Sequence, residues 1–149
     1  MKKRITILIA TGLYTGYFPL MPATFGSALG IIILVLAKAD LWQQQLLMIL
    51  PGLAIAIWTA DVAEDFFGVK DPGRVVVDEI VGIWISLAFL PISFGVVLAG
   101  FLIFRVLDIL KPFPAGKLAA LRGGWGIVAD DVVAGIYTNL IIHAWLWVS

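Results

Sequence analysis

Residues 80–104 read Ile-Val-Gly-Ile-Trp-Ile-Ser-Leu-Ala-Phe-Leu-Pro-Ile-Ser-Phe-Gly-Val-Val-Leu-Ala-Gly-Phe-Leu-Ile-Phe, a run without a single charge. A bilayer span takes roughly 17–25 apolar residues, so the run could be one crossing helix. Its centre, Leu90-Pro91-Ile92-Ser93-Phe94-Gly95, offers a second reading. Proline removes a backbone donor and clashes with the preceding turn, so the stretch can instead be a hairpin of helices at about 76–90 and 93–110. The choice decides the fold, because one span changes sides of the membrane and a hairpin returns.

Charge separates the two. With a hairpin, Lys2, Lys3, Arg4, Lys70, Arg74, Arg105, Lys111, Lys117 and Arg122 share one side, and Lys38 alone faces the other. A single span splits the ten basic residues five and five. Basic residues concentrate on the cytoplasmic side of membrane proteins, which favours the hairpin.

Outward from this hairpin lie three more uncharged runs, 5–37, 41–60 and 132–149. The latter two read as single spans, with Leu41-Trp42, Trp145 and Trp147 as interfacial anchors. The first is broken around Pro19-Leu-Met-Pro22-Ala-Thr-Phe-Gly26, and two full spans there would put six basic residues outside. Residues 5–20 are therefore expected as a re-entrant or interfacial helix and 25–38 as the first span. A leader peptide, from Met1-Lys-Lys-Arg and the apolar 5–10, is the weaker reading of this end. The expected fold is an all-α, polytopic membrane helical bundle of about five membrane helices plus that N-terminal element, in one domain, 1–149.

Composition agrees. Of 149 residues 62% are hydrophobic and only 13% charged, with a mean hydropathy of +1.06, whereas soluble domains carry about 25% charged residues. Balanced charge gives no reason to expect a nucleic-acid partner. The absence of cysteine excludes disulfides, thiolate metal sites and cysteine nucleophiles, and one histidine cannot build a His-rich metal site. That residue, His143, falls on the outer half of the last span and reads as a packing or interfacial group.

Lys and Arg alone set this topology, yet nine of ten acidic residues fall on the same inner side. Asp61, Glu64 and Asp65 share one helical face at a span's end, where dipole and anchoring roles suffice. Asp78-Glu79 opens a helix after the turn Asp71-Pro72-Gly73, and Asp130-Asp131 begins the last span after Gly123-Gly124-Trp125-Gly126. Both pairs are followed by apolar residues that draw them toward hydrocarbon, where carboxylates are costly and usually functional. Gly82, Ser86, Ala134 and Gly135 are small enough to let these helices approach closely.

Oxygen donors without Cys or His suit Mg²⁺, an ion that commonly works on phosphate. Arg105, Asp108 and Lys111, spaced by three, place two cations around an acid and could hold a phosphate, with Lys117 or Arg122 for a second one. A phosphate site at the surface of so apolar a chain points to a lipid head group. A small ion-coupled transporter is the rival reading, although transporter sites usually lie near the bilayer midplane.

Four blocks, Pro22-Ala-Thr-Phe-Gly-Ser27, Asp71-Pro-Gly-Arg-Val-Val-Val-Asp78-Glu79-Ile-Val-Gly82, Phe104-Arg105-Val-Leu-Asp108-Ile-Leu-Lys111-Pro-Phe-Pro114 and Gly123-Gly-Trp-Gly-Ile-Val-Ala-Asp130-Asp131-Val-Val-Ala-Gly135, resemble in order and spacing those of the phosphatidylglycerophosphatase A family. The resemblance implies a Mg²⁺-dependent phosphomonoesterase of the bacterial inner membrane, facing the cytoplasm, that converts phosphatidylglycerophosphate to phosphatidylglycerol. It carries over Asp78, Glu79, Asp130 and Asp131 as metal ligands, and Thr24, Ser27, Arg105 and Lys111 as substrate-binding residues. Asp108, Asp71 and Asp130 are implied as catalytic. Ala23 stands where the family block usually has glycine, which matters if that backbone must take positive φ.

Overall fold

The chain folds entirely into helices, with no strand among the described residues, in a computed structural model that describes residues 2–39 and 41–148 and only the backbone of Lys2. The side chain of Lys2, counted above among the inner cations, thus lies outside the described residues. The elements are α1 (Lys2–Ala10), α2 (Pro22–Ala37), α3 (Trp42–Phe67), α4 (Val77–Ser86), α5 (Phe94–Leu110), α6 (Ala115–Leu118) and α7 (Gly124–Val148), with a 3-10 turn at Thr15–Tyr17.

Residues 80–104 form a hairpin. The loop 87–93 between α4 and α5 holds Pro91, and Ser93 caps α5 by accepting the Val96 N–H at 3.4 Å. The expectation of about five membrane helices is not supported by length. Among the described residues only α3 and α7, with 26 and 25 residues, are long and apolar enough to cross a membrane, reaching about 38 Å at 1.5 Å per residue. Helices α2 and α5 have 16 and 17 residues and α4 only 10.

The reason lies in what α4 touches. Eight of its ten residues are buried, and it packs on α7, α2, α3 and α5. Its apolar sequence serves protein packing, which hydropathy alone cannot distinguish from contact with lipid. The close approach to α7 depends on two glycines. A Cβ on Gly82 would meet the Asp131 carbonyl of α7 at 3.2 Å, besides the Phe104 ring of α5 at 2.6 Å, and one on Gly135 would meet the Gly82 carbonyl at 2.7 Å.

Because α4 stops inside the bundle, its last carbonyls need partners. Asn139 of α7 donates to Ser86 O (3.2 Å) and Ala88 O (2.8 Å). Gln45 of α3 accepts from Phe89 N (2.6 Å) and donates to Ala39 O (2.9 Å). Trp84 Nε1 donates to Gly30 O of α2 at 2.8 Å.

The N-terminal expectation needs two corrections. Helix α1 ends at Ala10, well before residue 20, because Gly12, Leu13 and Tyr14 turn the chain through left-handed backbone. The end of α1 is tied to the start of α4 by Val76 N–H to Ala10 O, 2.9 Å. Pro22 then opens α2 at its first turn, where a missing N–H costs nothing. The block Pro22–Ser27 is thus helical, not a loop, and Ala23 needs no positive φ.

Candidate active site

Alternating helix directions bring four chain ends together: the start of α4, the end of α5, the start of α7 and the loop 68–76. Asp78 and Glu79 occupy the first turn of α4, where unpaired N–H groups favour negative charge. Arg105 and Asp108 sit in the last turns of α5, and Lys111 caps it in left-handed backbone. Asp130 and Asp131 lie in the second turn of α7.

Asp78, Glu79, Asp130 and Asp131 are 7, 8, 5 and 2% exposed. The oxygens of Asp78, Glu79 and Asp131 come within 4.8 Å of one another, and so do those of Asp108, Asp130 and Asp131. Two cations border them. Arg105 Nη1 donates to Asp108 Oδ2 at 2.5 Å, and Lys111 Nζ pairs with Asp130 Oδ2. Burial alone would lower the Lys111 pKa, but the hydrogen bond and charge of Asp130, with Asp71 and Asp108 beyond, raise it above the ordinary lysine value.

One oxygen on each of the four buried acids has no partner among the described residues: Asp78 Oδ1, Glu79 Oε2, Asp130 Oδ1 and Asp131 Oδ1. Leaving buried carboxylate oxygens unpaired costs several kcal/mol per group unless something else compensates. Oxygen-only donors, buried and unsatisfied, fit a hard divalent cation such as Mg²⁺. Arg105 Nε is likewise buried without a partner, which leaves part of its donor fork for an anion.

The other candidates lie further out. Asp71 is exposed on the loop before α4, within electrostatic reach of Asp78, Lys111 and Asp130. Thr24 Oγ1 is buried and unpartnered, whereas the Ser27 hydroxyl donates to Ala23 O at 3.0 Å within its own helix. Lys117 is exposed and rests 5.1 Å from the Phe113 ring, and Arg122 is exposed. His143 is exposed and bonds Asn139 O, far along α7 from the acids.

One residue that sequence reasoning left as an anchor has a definite task. Asp61 Oδ1 accepts the Gly124 N–H at 3.2 Å and so holds the first turn of α7 against α3. Gly123 has φ +62°, and a side chain there would collide with Asp61, as one on Gly124 would with Ile57 O. Only the pairing of Gly123-Gly124 with an acid hinted at this, and the partners are 63 positions apart.

Fold and site define an all-helical protein of membrane character with a buried, metal-competent acidic centre bordered by the cations Arg105 and Lys111. The family model described as phosphatidylglycerophosphatase A matches residues 8–146. A phosphatidylglycerophosphatase A of Escherichia coli (strain K12) is 37% identical, over 91% of this chain and 80% of that protein. One of Haemophilus influenzae is 39% identical, over 92% and 86%. A Bacteroides thetaiotaomicron protein, whose name proposes a phosphatidylinositol-3-phosphatase, is 39% identical over 97% and 95%. No solved structure matches. The chain belongs to the phosphatidylglycerophosphatase A family, a family of phosphatases.

Proposed function

We propose that this chain hydrolyses phosphatidylglycerophosphate to phosphatidylglycerol and inorganic phosphate, with Mg²⁺, at the cytoplasmic face of the bacterial inner membrane. The observation that carries the proposal is the set of unpartnered, buried carboxylate oxygens beside Arg105 and Lys111. In the membrane, α3 and α7 span the bilayer, the short α4 packs against both with α2 and α5 beside it, and α1 rests at the interface.

Hydrolysis forms a phosphorus–oxygen bond to water and breaks the one to glycerol, moving one proton off the water and one onto the departing oxygen. Arg105, its fork fixed by Asp108, takes phosphate oxygens on its remaining donors. Lys111, kept protonated by Asp130, supplies the second positive charge. Thr24 offers a free hydroxyl to the head group, while Ser27 serves the packing of α2. Asp71, at the solvent side, passes the proton to and from water. Asp78, Glu79, Asp130 and Asp131 would hold Mg²⁺, which offsets phosphate charge and makes a water more acidic.

The test is phosphate release by the purified chain from phosphatidylglycerophosphate, with and without Mg²⁺, beside phosphatidylinositol 3-phosphate. Mg²⁺-dependent release from the first is expected, and no release from it would end the proposal. Faster release from the inositol lipid would keep the chemistry and reassign the head group. The cytoplasmic orientation is tested with single cysteines at the exposed positions Leu41 and Gly73. In intact cells, an impermeant thiol reagent should label the first and not the second.

A further inference from the structure

We infer that the acidic centre holds two hard divalent cations, with Asp131 shared between them. The inference deepens the phosphatase reading and rests on it for the substrate. Its basis is how the acids divide. Asp78 and Glu79 gather with Asp131, and Asp108 and Asp130 gather with Asp131, each trio within 4.8 Å. Among the described residues, no such trio joins Asp130 to Asp78 or Glu79. A single ion would require one set, and the helices present two that meet at one carboxylate.

Unpartnered oxygens point the same way. The first trio has Asp78 Oδ1 and Glu79 Oε2, the second has Asp130 Oδ1, and Asp131, which belongs to both, has Oδ1. The Oδ2 atoms of Asp108 and Asp130 are engaged by Arg105 and Lys111. Each of those acids therefore keeps one oxygen for another partner.

Charge sets the number. Five carboxylates against Arg105 and Lys111 leave three formal negative charges at the centre. One divalent ion leaves a net negative centre that repels a phosphate anion, whereas two make it positive. Paired ions about 3.5–4 Å apart are a recurrent arrangement for clamping a phosphoryl group. A carboxylate can serve both, since its two oxygens offer about four lone-pair sites. Position 131 is held firmly enough for this, because its backbone carbonyl lies where a Cβ on Gly82 would meet it at 3.2 Å, one turn from the still closer approach of Gly135 to α4.

Mn²⁺, which favours the same oxygen donors, is the probe. The full-length chain, purified in detergent, is titrated by equilibrium dialysis with metal analysis and examined by electron paramagnetic resonance. Two Mn²⁺ per chain with a spin-coupled spectrum are expected. Glu79→Gln and Asp108→Asn should each leave one tightly bound ion with an isolated six-line spectrum and weaken the other at least about tenfold. Asp131→Asn should abolish the coupled spectrum. Helical circular dichroism verifies that each variant is folded. Saturation of wild type at one Mn²⁺, or two ions without coupling, would overturn the inference whatever the variants do. A chain that turns over the lipid with one ion loses this inference and keeps the phosphatase reading. A coupled pair in a chain that releases no phosphate does the reverse.

Discussion

The two ends of the bundle bury polar groups in opposite ways. At the end where α4 stops, Gln45 and Asn139 close gaps in the backbone bonding and Trp84 ties α4 to the Gly30 carbonyl of α2, and each finds its partner at 2.6–3.2 Å. At the end where α4 begins, four buried acids each retain an oxygen with no partner among the described residues. Buried polar groups are nearly always hydrogen-bonded, so the first end obeys the rule and the second departs from it. The same short helix thus separates polar groups that hold the structure from polar groups that the described residues leave unsatisfied. The departure does not come from general looseness, since Phe104 and Val128 beside the acids are fully or nearly fully buried.

The largest effect should come from the unsatisfied end. Asp131→Asn and Asp78→Asn change charge with little change of shape, and kcat/KM for phosphate release should fall about a thousandfold, roughly 4 kcal/mol in the barrier. Like charges crowded in a dry site repel, so thermal unfolding without Mg²⁺ should come no earlier than in wild type. These variants should also gain less stability from added Mg²⁺. Early unfolding without the ion would mean that these acids, too, are structural.

The satisfied end should respond the other way round. Gln45→Leu and Asn139→Leu strand backbone groups at the close of α4, and each should cost about 1–3 kcal/mol of stability. Turnover per folded molecule should stay near wild type, read from activity normalised to circular dichroism. A turnover defect at unchanged stability would erase the distinction between the ends.

Arg105→Lys, next in size, keeps charge and loses the planar fork. Activity should fall at least about tenfold, close to 1.4 kcal/mol, and wild-type kinetics would reduce Arg105 to a topological anchor. The smallest effect is expected at Asp61, whose acceptor holds the start of α7. Asp61→Ala should lower stability by about 1 kcal/mol, as loss of a helix cap does, while Asp61→Asn, which retains the acceptor, should cost less.

How much of this was legible follows from what each feature depends on. Pro91 and the placement of ten basic residues sufficed for the hairpin, since a helix breaker and a charge count are local facts. The acids of the centre were also visible, as charged pairs adjoining apolar runs. Helix lengths were not, because hydropathy is the same for Ile83 buried against Gly30 as for a residue facing lipid. The end of α1 was missed where Gly12 outweighed the later prolines. The division of the acids into two trios depends on the register of three helices, and the task of Asp61 on a backbone N–H supplied by a distant turn.

Helix α7 carries Asp130 and Asp131 near its start and Asn139 about two turns on, so one rigid rod serves both ends of the bundle. An extra residue between them would turn one set about 100° relative to the other. The centre and the close of α4 could not then both be served. Insertions and deletions should therefore be purged from positions 131–139 of evolving relatives, even where side chains there drift. Past Ile142 the helix is exposed to its end, and length is free to vary.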